Sequence, residues 1–322
     1  MRAPDFWTTR GALAKALEPA SALWRLGTRI ERRLVKPQRA KRPILCVGNL
    51  VAGGAGKTPT ALAIGAALRA RGRTVHFLTR GYGGRQKGPL KVEPERHTAH
   101  EVGDEALLLA AEAPTWVAHD RVAGAEAAAA AGADIVVMDD GFQNPRIAKD
   151  LSLVVVDGGY GFGNGLVIPA GPLREPVEDG LARAQAAILI GADVFGVTTT
   201  LAPRLPVLTA RLVPDEGLRK FSGRPVVAFA GIGRPAKFVE TLREAGCDVV
   251  IAREFPDHYP YTPDDIMEIC ETADSMGAVP ITTAKDYVRI PETARRMVQV
   301  VRVTLQWDDP AALAQILAPL LA

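Results

Sequence analysis

The feature that most constrains this 322-residue chain is a glycine-rich loop between an apolar strand and a helix. Continuous apolar residues predict a buried strand over residues 44–49, and a helix is predicted over residues 57–71, ended by Gly72. The loop over residues 51–58 reads Val-Ala-Gly-Gly-Ala-Gly-Lys-Thr. Glycines let backbone N–H groups turn toward phosphate oxygens, and the helix N-terminus adds a partial positive charge. The loop therefore predicts a nucleotide-phosphate site.

Positions of this loop have expected roles in binding the phosphates of a nucleotide. Lys57 is predicted to reach the β- and γ-phosphates, and the Thr58 hydroxyl is predicted to bind Mg²⁺. The usual pattern has glycine at the first position, where this chain has Val51. The predicted ATP-binding residues are Val51, Ala52, Gly53, Gly54, Ala55, Gly56, Lys57 and Thr58.

The rest of the chain alternates between predicted strands and helices. Because its apolar runs are continuous, we expect a doubly wound parallel sheet that is covered on both faces, as in a P-loop NTPase-like α/β fold. Residues 192–223 do not show this alternation and are predicted to be a connector. A second, smaller α/β domain is predicted to begin after them. The predicted domains are a basic segment at 1–42, a kinase core at 43–214 and a C-terminal domain at 215–322 that closes over the active site.

Composition excludes several other classes of protein. Hydrophobic residues make up 48% and charged residues 23%, which excludes a disordered chain, a collagen-like fibre and a coiled coil. The cysteines Cys46, Cys247 and Cys270 lie far apart in sequence, so a disulfide scaffold and a zinc cluster are not expected.

The first 42 residues carry most of the positive charge of the chain. They contain eleven Lys or Arg against three Asp or Glu, whereas the whole chain has a net charge of only +3. On a helical wheel that starts at Pro19, a basic side lies next to a Leu/Ile face, an arrangement typical of a helix in the headgroup region of an anionic membrane. An amphipathic helix that docks on its own domain and leaves its arginines in water fits the same pattern. We expect no membrane-spanning segment and no signal peptide, and therefore a cytoplasmic protein.

Further candidates for chemistry lie outside the loop. Asp139 and Asp140 follow a strand predicted over residues 135–138, where carboxylates can hold the metal of a P-loop site. On the acceptor side, Asp104 or His258 could accept a proton and Arg174 could supply a cation. Each of these three also has a simpler interpretation, as a helix-terminal acid or a loop residue.

Nine sequence blocks, in order, resemble the tetraacyldisaccharide 4′-kinase (lipid A 4′-kinase) family. They span residues 43 to about 290. The blocks are Val47-Gly48-Asn49-Leu50 running into Gly53-Gly54-Ala55-Gly56-Lys57-Thr58-Pro59, Thr79-Arg80-Gly81-Tyr82-Gly83-Gly84, Val102-Gly103-Asp104-Glu105, Asp120-Arg121, Asp139-Asp140-Gly141-Phe142-Gln143, Phe162-Gly163-Asn164-Gly165, Pro169-Ala170-Gly171-Pro172-Leu173-Arg174-Glu175, Asp257-His258-Tyr259 and Thr282-Thr283-Ala284-Lys285-Asp286.

The resemblance implies a kinase that moves the γ-phosphoryl of ATP to the 4′-hydroxyl of a tetraacylated glucosamine disaccharide 1-phosphate. It implies a peripheral enzyme at the cytoplasmic face of the inner membrane, with ATP and Mg²⁺ bound and a glycolipid as substrate. The roles it implies are Lys57 with ATP, Thr58, Asp139 and Asp140 with the metal, Asp104 as base oriented by His258, Arg174 with the phosphates, and Arg80, Tyr82 and Arg121 with the lipid head group.

This sequence departs from the family pattern at two positions, with Asn144 where His is common and Ala284 where Glu is common. Two other functions fit the phosphate loop alone: a soluble P-loop ligase or kinase acting on a small carboxylic acid, and a membrane-bound ATPase switch. Nucleic-acid binding is not expected, because the basic segment lacks interleaved aromatic residues. No obligate protein partner is expected either.

Overall fold

The computed structural model describes residues 4–321. Residues 1–3 of the predicted basic segment and residue 322 of the predicted C-terminal domain therefore lie outside the described residues.

The strands of the described chain form two sheets. In chain order they are β1 (Ile44–Gly48), β2 (Val75–Thr79), β3 (Leu90–Lys91), β4 (Thr115–Val117), β5 (Ile135–Asp139), β6 (Leu151–Asp157), β7 (Ala186–Ile190), β8 (Val207–Pro214), β9 (Pro225–Ala230), β10 (Asp248–Glu254), β11 (Val279–Thr283), β12 (Gln299–Val301) and β13 (Val303–Trp307).

Helices connect these strands. They are α1 (Ala12–Leu34), α2 (Lys57–Arg69), α3 (Ala99–Val102), α4 (Asp104–Ala110), α5 (Arg121–Ala130), α6 (Val177–Leu181), α7 (Thr198–Leu201), α8 (Pro235–Glu244), α9 (Pro263–Ser275), α10 (Ala284–Tyr287), α11 (Glu292–Arg295) and α12 (Pro310–Leu317), with 3₁₀ turns at Asp5–Thr8, Glu216–Phe221 and Ala318–Leu320.

The large sheet has the order β13-β8-β7-β6-β1-β5-β2-β4-β3 within residues 4–321. Its strands from β8 to β4 are parallel, and β13 and β3 pair antiparallel at the two edges. Every residue of β1, β2, β5, β6 and β7 is buried, as expected where helices cover both faces of a parallel sheet. The predicted doubly wound fold is confirmed. The carboxyl ends of β1 and β5 meet at one edge, where ligands bind in such sheets.

The small sheet has the order β10-β9-β11-β12 and is parallel throughout. Helix α8 packs on β9 and β10, and α9 packs on β9 and β11. Two separate apolar clusters, one around Phe238 and Leu242 and one around Ile266 and Ile269, fill the space between this sheet and its helices. This arrangement is the second, smaller α/β unit that the sequence predicts.

The structure differs from the predicted connector and from the predicted domain boundary. Residues 192–223 contain α7 and the eight-residue strand β8, which extends the large sheet beside β7. The chain then builds the small sheet and returns, because β13 pairs antiparallel with β8. The last strand and helix of the predicted 215–322 domain thus pack with the kinase core. Strand β8 is buried only at alternate residues. It therefore lacks the continuous apolar run from which a buried strand is predicted.

The N-terminal helix also differs from its predicted start. Helix α1 begins at Ala12, so Pro19 lies inside it instead of at its first turn. Proline lacks an N–H and therefore leaves the carbonyl one turn earlier without its helical donor, which normally disfavours this position. Two turns of helix before Pro19 are tolerated because contacts with the kinase core hold the segment in place, as described below.

Candidate active site

The phosphate loop lies between β1 and α2, as the sequence predicts. Gly56 precedes α2 with a left-handed φ of 85°, and a side chain there would meet Ile190. Glycine is therefore required at this position. Val51, which replaces the usual first glycine, forms an isolated antiparallel bridge with Leu173 and is buried. An extended, buried position has no need of glycine, so this departure from the usual pattern leaves the loop intact.

A second predicted block holds the loop in place. The backbone N–H of Ala52 donates to the carbonyl oxygen of Pro172 at 2.7 Å, and the N–H of Arg174 donates to that of Leu50 at 2.8 Å. The segment that ends at Arg174 therefore runs beside the phosphate loop. This pairing brings the predicted phosphate-binding arginine into the ATP site.

Cations of the loop and of this segment converge on Asp140. The guanidinium of Arg174 donates from both terminal nitrogens to the two carboxylate oxygens at 2.7 and 3.2 Å, and Nζ of Lys57 lies 3.6 Å from Oδ2. Burial raises the pKa of Asp140, but Lys57 and Arg174 outweigh it and lower the pKa to about 2. Asp140 thus faces the two cations, and its predicted metal role stays a prediction.

Asp139 and Thr58 form the part of the site that suits a divalent cation. Thr58 Oγ1 donates to Asp139 Oδ2 at 2.7 Å, whereas Asp139 Oδ1 is buried without a hydrogen-bond partner. Burial raises the pKa of Asp139 to about 7, and the negative charge of Glu105 adds to this effect. Hydroxyl and carboxylate oxygens are the ligands that Mg²⁺ prefers, and the unpartnered oxygen marks where one fits.

Asp104 and His258 come together, although 153 positions separate them in the sequence. Asp104 lies at the first turn of α4 and His258 in the loop after β10, and Nδ1 of His258 is 3.0 Å from Asp104 Oδ2. The Asp104 side chain is only 2% exposed. Its Oδ1 accepts the backbone N–H of Glu105, whereas Oδ2 is buried, makes no well-aligned hydrogen bond and faces Nδ1 of His258.

Two cations beside this pair were not among the predicted site residues. Lys285 Nζ and Arg289 Nε lie 3.9 and 3.8 Å from Asp104 Oδ2. Burial raises the pKa of Asp104, but His258, Lys285 and Arg289 outweigh it and keep the pKa below its usual value. Lys285 lies in one of the nine sequence blocks, whereas Arg289 lies outside all of them.

The acidic groups here could in principle hold a metal, because Asp104, Glu105 and His258 offer ligand atoms within 4.8 Å of one another. Nζ of Lys285, however, lies 3.3 Å from Glu105 Oε1 and within 4 Å of the other two residues. The chain itself therefore supplies the neutralising cation, and we assign no metal to this cluster.

Two residues of the predicted site have a strained backbone conformation. Among the described residues, the non-glycine residues with positive φ are Asp140 (56°) and His258 (61°). Such conformations cost free energy and persist where the surroundings enforce them, often at active sites. Both residues belong to the predicted site.

The predicted lipid-binding residues differ in exposure. Arg80 is exposed, and the ring of Tyr82 is 65% exposed with its centroid 5.5 Å from that of His258. Arg121 is instead buried and donates to the carbonyl of Ala118, and burial together with the nearby Arg80 lowers its pKa to about 10. Tyr82 therefore packs against the histidine of the dyad, and the roles of Arg80, Tyr82 and Arg121 in binding lipid stay predictions.

An open groove of about 460 Å³ lies between α1 and the phosphate site. Its lining residues are Trp24, Thr28, Glu31, Arg32, Arg80, Gln143, Ile168 and Arg174.

Helix α1 docks on the loop before Arg174 through polar contacts. Ser21 Oγ donates to the carbonyl of Val167 at 2.6 Å and accepts the N–H of Ala170, and Trp24 Nε1 donates to the carbonyl of Arg174 at 3.2 Å. These bonds place the helix beside the active site.

An ion-pair network reinforces the docking of α1. Glu175 is almost fully buried and pairs with Arg32 at 2.7 Å and with Arg183 at 2.8 Å. Gln143 donates to Glu175 and accepts from Arg174, so the network reaches the phosphate site. The sequence did not predict these contacts, since they join residues far apart in the chain.

Most of the large apolar side chains of α1 are exposed, although Ala14 is buried and Trp24 lines the groove. The helix docks on its own domain, as one of the two interpretations from the sequence has it, but it does so through polar contacts and leaves its Leu/Ile face uncovered. The exposed apolar residues are Leu13 (55%), Leu23 (71%), Trp24 (47%), Leu26 (56%), Ile30 (48%) and Leu34 (78%). Within residues 4–321, no helix is both long enough and apolar enough to cross a membrane.

Asn144, which stands where the family commonly has His, stabilises the turn in which it lies. Its Oδ1 accepts the backbone N–H of Arg146 at 2.8 Å. The chemistry described above uses no imidazole at this position.

Comparisons with known proteins agree over the full length of the chain. A family model described as tetraacyldisaccharide-1-P 4′-kinase matches residues 13–322. The tetraacyldisaccharide 4′-kinase of Rhodospirillum centenum is 54% identical over 328 residues, which cover 100% of this chain and 97% of that protein. The protein of the same name from Gluconacetobacter diazotrophicus is 56% identical over 314 residues, covering 97% of this chain and 96% of that protein.

A solved structure is similar in fold. The crystal structure of LpxK from Aquifex aeolicus in complex with ATP has a TM-score of 0.77 and 24% sequence identity. The match covers 96% of this chain and 100% of that one.

Proposed function

Because the chain belongs to the tetraacyldisaccharide-1-P 4′-kinase family, we propose that it phosphorylates the 4′-hydroxyl of a tetraacylated glucosamine disaccharide 1-phosphate, a lipid A precursor, with ATP as donor. One observation in the site carries this reaction. The buried carboxylate of Asp104, whose Oδ2 lies 3.0 Å from Nδ1 of His258, begins α4, and α4 packs against α2, the helix that follows the phosphate loop. A proton acceptor and the phosphate-binding loop therefore lie on neighbouring helices.

The residues divide the reaction between them. Oδ2 of Asp104 accepts the proton of the 4′-hydroxyl, whose oxygen forms a bond to the γ-phosphorus while the bond from that phosphorus to the bridging oxygen of ADP breaks. His258 orients Asp104 and can share its proton. Lys57 and Arg174 lie where they can stabilise charge on the migrating phosphoryl group and on ADP.

Thr58 and Asp139 would hold Mg²⁺, as the unpartnered oxygen of Asp139 suggests. When bound, the ion neutralises negative charge on the ATP phosphates. The chain's own contribution is to keep these oxygens oriented: Thr58 donates to one oxygen of Asp139 and leaves the other directed away from that bond.

We further propose that α1 binds the cytoplasmic surface of the inner membrane. Its exposed leucines and isoleucine would enter the headgroup region, and its arginines would contact anionic lipid. The groove between α1 and Arg174 then joins the membrane to the ATP site. A substrate whose acyl chains stay in the bilayer could present its sugar to Asp104 by this route. Neither the small-acid ligase nor the ATPase switch requires such a groove.

Transfer of label from γ-³²P-ATP to tetraacyldisaccharide 1-phosphate in detergent micelles tests the proposed reaction. We expect labelled lipid with wild-type protein and about a hundredfold less, or lower still, with Asp104→Asn, which keeps the shape of the side chain but not its basicity. Labelled inorganic phosphate without labelled lipid would contradict the kinase function. Unchanged transfer by Asp104→Asn would instead contradict only the role of Asp104.

A further inference from the structure

Lys285 is a charged residue of the active site to which the mechanism above gives no role. It belongs to α10 in the smaller domain, whereas Asp104 and Glu105 belong to the kinase core. Its Nζ lies 3.3 Å from Glu105 Oε1, 3.4 Å from His258 Nε2 and 3.9 Å from Asp104 Oδ2. One ammonium group therefore contacts both members of the dyad and the neighbouring acid.

The ammonium group beside His258 affects which ring nitrogen of the histidine carries the proton. Lysine in its charged form has three donors and no acceptor, so a hydrogen bond across the 3.4 Å between Nζ and Nε2 of His258 requires Nε2 to be the acceptor. A neutral imidazole that accepts at Nε2 carries its proton on Nδ1. That nitrogen is the one 3.0 Å from Asp104 Oδ2. Burial lowers the pKa of Lys285, but Asp104, Glu105 and Asp257 outweigh it and raise the pKa, so the lysine stays charged.

A buried aspartate fixes the segment that carries Lys285. Asp286 is completely buried and accepts the backbone N–H of Gly231 at 2.7 Å and the hydroxyl of Tyr261 at 2.8 Å. The backbone N–H of His258 donates to the carbonyl of the same Gly231 at 3.1 Å. Lys285 and His258 are thus held to one another through a shared backbone anchor.

We propose that Lys285 is a positioning residue: its ammonium group keeps the His258 proton on Nδ1, facing Asp104, and joins the two halves of the dyad across the two domains. This inference rests on the proposed function only for its kinetic consequence. The tautomer itself is a property of the protein without substrate.

Asp257 is a second possible acceptor for the proton of His258, and Lys285 acts against that alternative. Asp257 Oδ1 is buried, has no hydrogen-bond partner and lies 3.8 Å from Nε2 of His258. Without Lys285, the histidine can carry its proton on Nε2 and direct it to Asp257. Nδ1 would then turn a lone pair, instead of a proton, toward Asp104. The charged and titratable groups that face the dyad are Glu105, Asp257, Lys285 and Arg289, with Asp286 behind Arg289 and the ring of Tyr82 against His258.

The direct test is the histidine tautomer in the full-length, uniformly ¹⁵N-labelled protein, read from two-bond ¹H–¹⁵N correlations. The chain has five histidines, and His258→Gln identifies the signal of interest. We expect Nδ1-protonated His258 in wild type and a shift toward Nε2 protonation in Lys285→Met. Nε2 protonation in wild type, or the same Nδ1 tautomer in Lys285→Met, would overturn the proposal.

Kinetics supply a second readout that a purely structural role would not move. Removing the cation raises the pKa of Asp104, so the acidic limb of kcat for Lys285→Met should move upward by about one pH unit. We expect kcat near pH 7 to fall about tenfold to a hundredfold, the range typical of partners that orient a functional histidine, and Lys285→Arg to recover part of it. KM for ATP should stay the same.

The matched control is Lys220→Met, because Lys220 belongs to the same domain and contacts Phe221 and Gln299 instead of the dyad. This variant should keep the wild-type pH profile. A loss in Lys285→Met that is equal at every pH, or no loss, would overturn the positioning role. If wild type itself fails to label the lipid while its tautomer is as expected, the proposed function fails and the inference about Lys285 stands.

Discussion

The indole Nε1 of Trp24 donates to the backbone carbonyl of Arg174 at 3.2 Å, and the guanidinium of the same Arg174 binds both oxygens of Asp140. Arg174 therefore connects a residue of the N-terminal helix to Asp140 of the phosphate site, through its backbone carbonyl on one side and its guanidinium on the other. Where α1 lies on the protein thus affects where Arg174 lies in the cleft.

Trp24→Phe tests this connection, because it removes the donor and keeps an aromatic ring. A hydrogen bond of this kind contributes about 1 kcal/mol, so we expect KM for the glycolipid to rise roughly fivefold. KM for ATP should rise less than this, since Lys57 and the backbone of the phosphate loop keep their contacts whereas Trp24 itself lines the groove. An equal effect on both KM values would indicate that the helix merely stabilises the fold.

Membrane binding should depend on the exposed apolar residues of α1. Leu23→Glu combined with Leu34→Glu places two charges among side chains that are 71% and 78% exposed, so folding should be spared. We expect co-sedimentation with vesicles containing anionic lipid to fall at least tenfold, since each leucine contributes about 1.5–3 kcal/mol when buried. Met267→Glu, at a 50% exposed methionine of the smaller domain, is the matched control. Undiminished sedimentation of the double variant would contradict the membrane role.

Lys57→Ala should remove most turnover. Its Nζ lies beside Asp140 in the phosphate loop, and losing one such electrostatic contact typically costs about 2.7–4 kcal/mol, or roughly a hundredfold to a thousandfold in kcat. Lys220→Ala, at an exposed lysine, should keep full turnover. Near-normal kcat in Lys57→Ala would mean that the loop does not bind the phosphates of ATP.

Asp104 and His258 should act as a unit. We expect Asp104→Ala and His258→Ala each to lower kcat about a hundredfold or more while the Kd for ATP stays within about twofold of wild type. The double variant should be little worse than the poorer single variant, because removing one member already disables the pair. Multiplicative effects in the double variant, or a loss of ATP binding, would count against the dyad.

Asp139 gives the stability a distinctive pH dependence. Its pKa of about 7 in the folded protein lies above the ordinary 3.8, so between these values the folded state holds a proton that the unfolded state has lost. Stability without nucleotide or Mg²⁺ therefore falls as pH rises from about 4 to about 7.

Asp139→Asn removes this penalty, and we expect a higher Tm than wild type at pH 8, an equal Tm at pH 4 and no kinase activity. Asp274→Asn, at an exposed carboxyl, should leave Tm unchanged at both pH values. Scanning calorimetry at the two pH values measures these differences in Tm. A lower Tm for Asp139→Asn than for wild type at pH 8 would show that the ionised carboxylate does not destabilise the fold.

Local patterns predicted much of this structure. The fully buried strands β1 and β5 have continuous apolar runs, and the phosphate loop has its glycines next to Lys57 and Thr58, so both were visible in the sequence. The capping box of Thr262 and Asp265 at the start of α9 is another feature of this kind. These features depend on residues close together in the chain.

Long-range pairing accounts for what the sequence did not show. Strand β8 is half-exposed and has no strong apolar run, and its position is set by β7 and by the distant β13. The docking of α1 depends on hydrogen bonds to residues near 170, which override the tendency of Pro19 to begin a helix. Lys285 becomes part of the site only because the smaller domain folds against α4.

The return of the chain to its first sheet affects the order in which the protein can be made. β13 supplies an edge strand beside β8, and α2, the helix that follows the phosphate loop, packs against it. A ribosome therefore releases the first 214 residues, and then the whole smaller domain, before the ATP-binding half can acquire its last strand. Until residues 303–317 emerge, β8 has an unpaired edge, and this edge is the surface of a nascent chain that a chaperone would need to cover.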